Sequence, residues 1–439
     1  MGTEGGSWLR LRRHLAAPID GASLVAFRVA FGLAMAANVL RYEAQGWVDE
    51  LYVAPELAFP FLEGVERLPG PAMHGVFAVV LASALGIASG LAHRLFTAVF
   101  LVAFTYLELV DRTTYLNHYY LVSLLAALML VMPLGRTGTL RKRRIGTLPR
   151  WCLWTLRMQL GLVYVFAGLA KLRGDWLLRA EPLHTWLRRY AHAPLVGPVM
   201  DDPWLAYAFS WAGLFFDLFV VFFLLRPRTR PLAYAAVVVF HAVTALLFPI
   251  GIFPWLMIVA TPLFFEPGWP RRLWRGEAPQ TVEQRTPLPL AALALLGVWF
   301  AVQLALPLRQ HLHPGNACWH EQGYRFAWNV MVMEKTGMLE LRVLDAEGRE
   351  TRLAARELLS PLQQRMVPTQ PDLVRELARQ VRARFEAEGH PAPVEVRADA
   401  WASLNGRPSQ RLIDPNVDLA HAGRPPAGWI LPLAEATRR

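Results

Sequence analysis

Cysteine is scarce in this chain, and so is charge. The 439 residues hold only Cys152 and Cys318, too few for a disulfide framework or a cysteine metal set. Cys152 begins an apolar run and Cys318 lies in a polar region, so the two are not expected to pair. Charged residues make up 18% of the chain against 54% hydrophobic, and mean hydropathy is +0.28. No HExxH or CxxC occurs, and no metal site is expected. No P-loop, GxGxxG or GxSxG stands between a suitable strand and helix. The net charge of +11 comes mostly from short arginine clusters between apolar runs. No groove-reading motif accompanies it, so nucleic acid is not an expected partner.

What the chain has is long uncharged runs. Several approach or exceed the roughly 20 residues that cross about 30 Å of hydrocarbon. They begin near residue 20 and continue over 72–91, 94–110, 114–133, 151–171 and 204–225. Residues 231–265 contain no Asp, Glu, Lys or Arg. That stretch is too long for one crossing and suits two short ones, hinged at Phe248-Pro249-Ile250-Gly251. A last run covers 288–307. The expectation is an α-helical polytopic membrane protein with about nine transmembrane helices. No A-x-A-like site follows the first run, which is expected to stay as an anchor rather than be cleaved.

Lysine and arginine set the expected orientation. They concentrate before the first run (Arg10, Arg12, Arg13) and between the fourth and fifth (Arg136, Arg141, Lys142, Arg143, Arg144, Arg150). Further clusters are Arg226, Arg228 and Arg230, then Arg271, Arg272, Arg275 and Arg285. The connection after the first run is acidic instead (Asp49, Glu50, Glu56, Glu63, Glu66). A cytoplasmic N-terminus and an extracytoplasmic C-terminus satisfy the positive-inside rule. The expected divisions are a cytoplasmic segment 1–19, a helical membrane domain 20–307 and an extracytoplasmic domain 308–439. The last reads as small, α+β and sheet-rich. Gly337–Asp345 alternates like a strand, and Asp372–Glu388 is an amphipathic helix. Val394–Leu404 and Gln410–Ile413 read as strands around an Asn405-Gly406 turn. A polar connection is expected over 276–287 and an irregular tail after His421.

Ionisable groups inside lipid are costly, so each is a candidate for function. The runs hold Arg28, His118, Lys171, Asp217 and His241. Lys171 lies roughly 30 Å along the fifth run, at its outer end, and Asn117 and His118 open the fourth run on the same side. A lysine there can simply snorkel to the headgroups. Tyr164, Gly168 and Lys171 share a helix face, however, and a small residue on that face permits close helix contact. An amine turned into the bundle would be available as a general base. His118 is either a satisfied polar residue at a helix start or a donor to a developing oxyanion. Asp217, about 13 residues along its own run, is expected deeper, and with Arg28 suggests an intramembrane ion pair or polar lock. His241 is open to a structural or a functional role.

Six segments carry a resemblance. They are NHYYL at Asn117–Leu121, YVFAGLAKLRGDWL at Tyr164–Leu177, GLFFDLF at Gly213–Phe219 and FHAVTALLFPIGIFPWLMIVATPLFF at Phe240–Phe265. LPLRQHLHPGNACWHEQGYRFAWNVMV at Leu306–Val332 and DAWASLNGRPSQRLIDPNVDL at Asp399–Leu419 complete the set. In this order they resemble the vitamin K-dependent γ-glutamyl carboxylases and the related horizontally transferred transmembrane domain. The resemblance implies that a reduced vitamin K, a menaquinol-type hydroquinone, is oxygenated by O2 to its epoxide. This supplies the strong base that takes the γ-proton of a glutamate side chain, and CO2 then adds to give γ-carboxyglutamate. By the same resemblance Lys171 matches the base that deprotonates the hydroquinone. His118 matches the histidine that stabilises its anion, with Asn117 beside it. His241 matches a further family histidine in the quinone region. Leu308, where the animal enzymes have an aromatic, and Trp319 fall in the region associated with the glutamate-bearing peptide. The implied partners are a Glu-containing secreted or periplasmic polypeptide, lipid and quinone. The Arg- and Ala-rich composition suggests a bacterial inner membrane. Two alternatives stay open, a quinol epoxidase without protein carboxylation and a non-enzymatic membrane protein that binds lipid or quinone.

Overall fold

A computed structural model describes residues 4–141, 144–194, 197–274, 286–423 and 428–434. Lys142, Arg143, Arg275 and Arg285 lie outside the described residues, as do most of the 276–287 connection and parts of the tail after His421.

Among the described residues, nine apolar helices follow a short N-terminal helix, Glu4–Ala16. They are α1 (Ala22–Ala44), α2 (Gly70–Ser89), α3 (His93–Val110), α4 (Asn117–Val131), α5 (Arg150–Ala170), α6 (Pro203–Leu225), α7 (Arg230–Leu247), α8 (Phe253–Ala260) and α9 (Leu290–Leu308). Seven are long and apolar enough to cross a membrane, while α4 and α8 are shorter apolar helices. Local sequence explains both exceptions. After α4 comes Met132-Pro133, and proline disfavours helical geometry at the residue before it. Between α7 and α8 lies the hinge Phe248–Gly251, where Gly251 takes φ +67, a left-handed conformation natural to glycine. Large apolar side chains on α6, α7 and α9, such as Phe215, Phe222, Leu232, Leu246 and Leu295, are exposed. Uncovered apolar faces of this extent suit lipid contact.

Arg28 sits fully buried among turns at one end of the bundle. Its guanidinium donates to the carbonyls of Leu134 (2.8 Å), Thr137 (3.4 Å) and Gly138 (2.6 Å). Gly90, which caps α2 at φ +72, leaves the space it fills, since an added Cβ would lie 2.6 Å from Arg28 Cζ. The same end gathers the N-terminal segment with later connections. Pro18–Asp20 pairs antiparallel with Thr147–Pro149, and Arg271 donates to both carboxylate oxygens of Asp20 (2.6 and 3.0 Å).

The C-terminal region is a four-stranded antiparallel sheet with one long helix. Its strands are β1 (Lys335–Leu344), β2 (Glu350–Ala354), β3 (Glu395–Leu404) and β4 (Gln410–Arg411), in the order β2-β1-β3-β4. Helix α10 (Pro371–Ala387) lays Leu373, Val374, Leu377 and Val381 against it. The alternation of β3 is clean, with Val396, Ala398, Ala400, Ala402 and Leu404 all buried. β4 is shorter than the sequence pattern suggested. β2 was not foreseen, because its residues ETRLA alternate weakly.

The two regions interlock. Ala170 at the end of α5, and Trp176, Leu183, Trp186 and Leu187 after it, share a core with β1, β3 and α10. In return Trp328, from the segment before β1, belongs to the core of the helical bundle.

Candidate active site

Lys171 caps the C-terminus of α5. Its side chain does not reach for headgroups. It is 3% exposed, and its Nζ meets Asp217 of α6, 2.7 Å from Oδ2. Nζ also donates to the carbonyls of Ala167 (3.3 Å) and Val330 (3.2 Å), and lies 5.1 Å from the centre of the Trp176 ring. Two glycines permit this. A Cβ on Gly168 would stand 2.7 Å from the backbone nitrogen of Leu218, so α5 and α6 touch backbone to backbone there. On α6, Gly213 faces the lysine stem, its Cβ direction 3.9 Å from Lys171 Cε.

The expected pairing of Asp217 with Arg28 is therefore not found. Asp217 pairs with Lys171, while the two terminal nitrogens of Arg28 donate to carbonyls elsewhere. Asp217 stands further out than a count from the first residue of the α6 run puts it. The early turns of α6 pack beside Trp176, whose indole donates to the carbonyl of Ser210 (2.7 Å). Asp217 thus reaches the level of the end of α5 rather than lying beneath it.

His118 and Asn117 open α4 and line an apolar cavity of about 550 Å³. Trp47, Leu51, Phe253, Trp328, Met331 and Met366 are among its apolar lining, and Arg41, Glu50 and Arg365 are its charged members. His118 is 9% exposed, and its Nε2 has no hydrogen-bond partner. A buried polar atom without a partner is costly, and it calls for a ligand or water to meet it. Gly251 keeps the approach open, for a Cβ there would come within 3.7 Å of His118 Nε2 and 3.2 Å of Arg41. Asn117 accepts a hydrogen bond from the Tyr115 hydroxyl (2.9 Å).

The segment 323–331, from the C-terminal region, runs between the amine and this cavity. Three of its non-glycine residues take positive φ, namely Phe326 (64), Trp328 (53) and Met331 (56). Each such residue costs of order 1–3 kcal/mol and persists only where its surroundings fix it. Here they do. Trp328, 1% exposed, stacks on Tyr120 with ring centres 5.2 Å apart. The Phe326 amide donates to the Tyr115 hydroxyl (2.9 Å). Asn329 accepts from Arg173 (2.9 Å) and donates to Gln310 (3.0 Å). Val330 touches both sides, lining the cavity while its carbonyl accepts from Lys171.

The sequence segments that carry the resemblance meet at this point. Arg173 donates to Cys318 Sγ (2.6 Å) and Gln310 (3.1 Å) besides Asn329. Asp175 accepts from Arg407 (2.5 Å) and Asn405 (3.0 Å). Burial alone would raise the Asp175 carboxyl, but the Arg407 and Asn405 hydrogen bonds hold it below its ordinary value. A similar knot joins three segments where Arg112 and Arg325 both donate to Asp372 at 2.8 Å.

The remaining residues singled out in the sequence lie apart. His241 is buried and its Nε2 is 3.2 Å from the Tyr164 hydroxyl. It does not line the cavity, but Phe253 lies between the two histidines, with ring centres 5.7 Å from His241 and 5.8 Å from His118. Leu308 is 52% exposed and joins none of these groups. Trp319 is buried, donates to the Leu431 carbonyl (2.8 Å) and lines a second cavity of about 1120 Å³ beside Arg173 and Arg407. Among the described residues no group of His, Cys, Asp or Glu is arranged to hold a metal ion. A network with no charged side chain, Trp299, Gln159, Gln303 and Tyr120, ties α9 to α5 and α4 and lies outside the ionisable set. Uncharged glutamines within apolar runs were the available signal.

Fold and site define an integral membrane protein with a helical bundle, a buried amine–carboxylate pair and a histidine-bearing apolar cavity beneath a sheet-rich region. Residues 16–269 match the HTTM domain, and residues 289–436 match the lumenal domain of the vitamin K-dependent gamma-carboxylase. The chain belongs to the vitamin K-dependent gamma-carboxylase family. No solved structure matches it. The family matches support a carboxylase-type enzyme. They imply use of a vitamin K hydroquinone with O2 and CO2, and a glutamate-containing protein substrate.

Proposed function

We propose that the protein is a membrane-integral γ-glutamyl carboxylase that couples epoxidation of a reduced menaquinol-type vitamin K to CO2 addition at peptidyl glutamate. The single observation that carries this reading is Val330, which lines the His118 cavity and bonds the buried Lys171 amine. The cavity suits the quinol ring. It is largely apolar and flanked by aromatics, and three residues of its lining, Arg41, His118 and Trp328, each carry a buried nitrogen without a partner, of which His118 Nε2 is placed to meet a hydroxyl or an oxyanion. When bound, the hydroquinone supplies through its oxygenation the base strong enough for a glutamate γ-proton.

The chain's own residues have simpler tasks. Lys171 takes the hydroxyl proton of the quinol, acting as general base. His118 stabilises the charge left on that oxygen by hydrogen bonding in a site of low dielectric. Asn117 and Gly251 hold the ring edge beside His118, and His241 supports the site from behind Phe253. The aromatic wall excludes water, which protects a carbanion from protonation. In this reading residues 20–307 form the membrane domain with the N-terminus cytoplasmic. Residues 308–439 face outward and receive a secreted or periplasmic polypeptide past Trp319 and Leu308, in a bacterial inner membrane.

Purified protein in lipid nanodiscs with vitamin K hydroquinone tests the assignment. Lys171→Ala is expected to abolish epoxide formation while quinone still binds. Unchanged epoxide formation in that variant would refute the base assignment. Epoxide with no γ-carboxyglutamate on any glutamyl peptide would leave a quinol epoxidase instead.

A further inference from the structure

We infer that Asp217 is a positioning residue for Lys171, whose carboxylate makes the buried amine a competent proton acceptor for a phenolic hydroxyl. The inference rests on the reading of Lys171 as the base.

The geometry is specific. Asp217 Oδ2 lies 2.7 Å from Lys171 Nζ, and the two side chains are 8% and 4% exposed. They come from different helices, and both helices carry glycines where the pair forms, Gly168 and Gly213. The other groups around the amine come from three elements. From α5 come the Ala167 carbonyl and, one turn further, the Tyr164 hydroxyl, which is engaged with His241. From the segment after α5 comes the Trp176 ring. The nearby Arg173 turns away to Cys318, Gln310 and Asn329. From 323–331 comes only the Val330 carbonyl. Asp217 is thus the one carboxylate that contacts the amine among the described residues.

The chemistry follows from charge. An ammonium formed in an apolar surrounding needs a counter-charge, and the Asp217 carboxylate is the group in contact with the amine. With an ionised carboxylate in contact, the pair carries −1 before proton transfer and is neutral after it. Taking the proton then moves the net negative charge from the pair to the quinol oxygen, and the ammonium forms already in contact with its counter-charge. In the step the quinol O–H bond breaks and its electron pair stays on oxygen. The N–H bond forms with the amine lone pair, and His118 meets the new negative charge.

The test is the pH dependence of epoxide formation in Asp217→Asn, which keeps shape and a hydrogen-bond acceptor but not charge. The acid limb of the rate profile is expected to move to lower pH by about one unit or more, because an adjacent opposite charge is worth about 1–3 units. The plateau rate should fall at least about tenfold, as a weaker base transfers protons more slowly. KM for the quinol should hold. Asp217→Glu should keep the limb in place with part of the rate. Should Asp217→Asn not purify, Asp217→Ser reads the same limb. A lowered rate with an unmoved limb would mark Asp217 as structural only, and an unchanged rate would also overturn the inference. Lys171→Ala, run alongside, separates the two claims. If it stays active, the base reading itself fails. If it is dead while Asp217→Asn keeps the limb in place, only the role of Asp217 fails.

Discussion

Gly168 is where helix packing and the site depend on the same atom. A Cβ at Gly168 would lie 2.7, 2.8 and 3.0 Å from the N, Cα and Cβ of Leu218. Carbon contacts are comfortable only near 3.5–4.0 Å. Two of the clashing atoms are backbone, so no rotamer change relieves them, and α5 and α6 must part by roughly 1 Å. Overpacking of this kind costs about 1–3 kcal/mol. The functional cost should be larger than the structural one. Lys171 lies one turn beyond Gly168 on α5 and Asp217 immediately precedes Leu218 on α6, the two side chains 2.7 Å apart, and a shift of that size takes them beyond hydrogen-bond range. Gly161, two turns earlier on α5, is the control. Its Cβ would meet Val221 Cγ1 at 3.3 Å, a side-chain contact able to give way. Thermal unfolding in detergent and epoxide turnover should both fall for Gly168→Ala and change little for Gly161→Ala. Equal behaviour of the two variants would refute the close approach and its link to the site.

Other consequences follow from the same contacts. Arg173→Ala removes charge-assisted hydrogen bonds to Cys318, Gln310 and Asn329. It should destabilise the protein by about 3 kcal/mol, and Arg173→Lys should not restore it, because one ammonium cannot span the fork. Differential scanning calorimetry reads both. His118→Ala should retain quinol binding while epoxide turnover drops about a hundredfold, as for loss of an oxyanion donor. Asp372 gives a pH signature. Burial alone would raise its carboxyl, yet the charges of Arg325 and Arg112 hold it below its ordinary value. Its stabilising contribution is therefore intact above the unfolded value of about 3.9 and is lost as pH falls through the lower folded one. Asp372→Asn should melt below the parent protein at pH 7, and the gap should close below about pH 3.9.

Much of the fold was legible because bilayer crossing and strand alternation leave strong periodic signals. The hinge at Phe248–Gly251, the strands at 335–344 and 395–404 and the helix at 371–387 lie where the pattern indicated. The lengths of α4 and α8 were less legible, since proline and glycine trim helices that remain apolar on both sides. Of the site, Lys171, His118 and Asn117 could be found from the cost of polar groups in lipid. The partner of Asp217 could not, because a one-dimensional depth count ignores how far a helix projects before it enters the bundle. Segment 323–331 was hidden for another reason. Its residues YRFAWNV look like an aromatic connection, and only tertiary contacts from Tyr120, Arg173 and Tyr115 hold its positive-φ backbone between amine and cavity.

The most direct test of the central claim is hydroquinone-dependent transfer of labelled bicarbonate carbon to a glutamyl peptide by the purified protein. Label recovered as γ-carboxyglutamate, present with the parent protein and absent with Lys171→Ala, is the expected result. No label in the peptide under conditions where epoxide accumulates would contradict it.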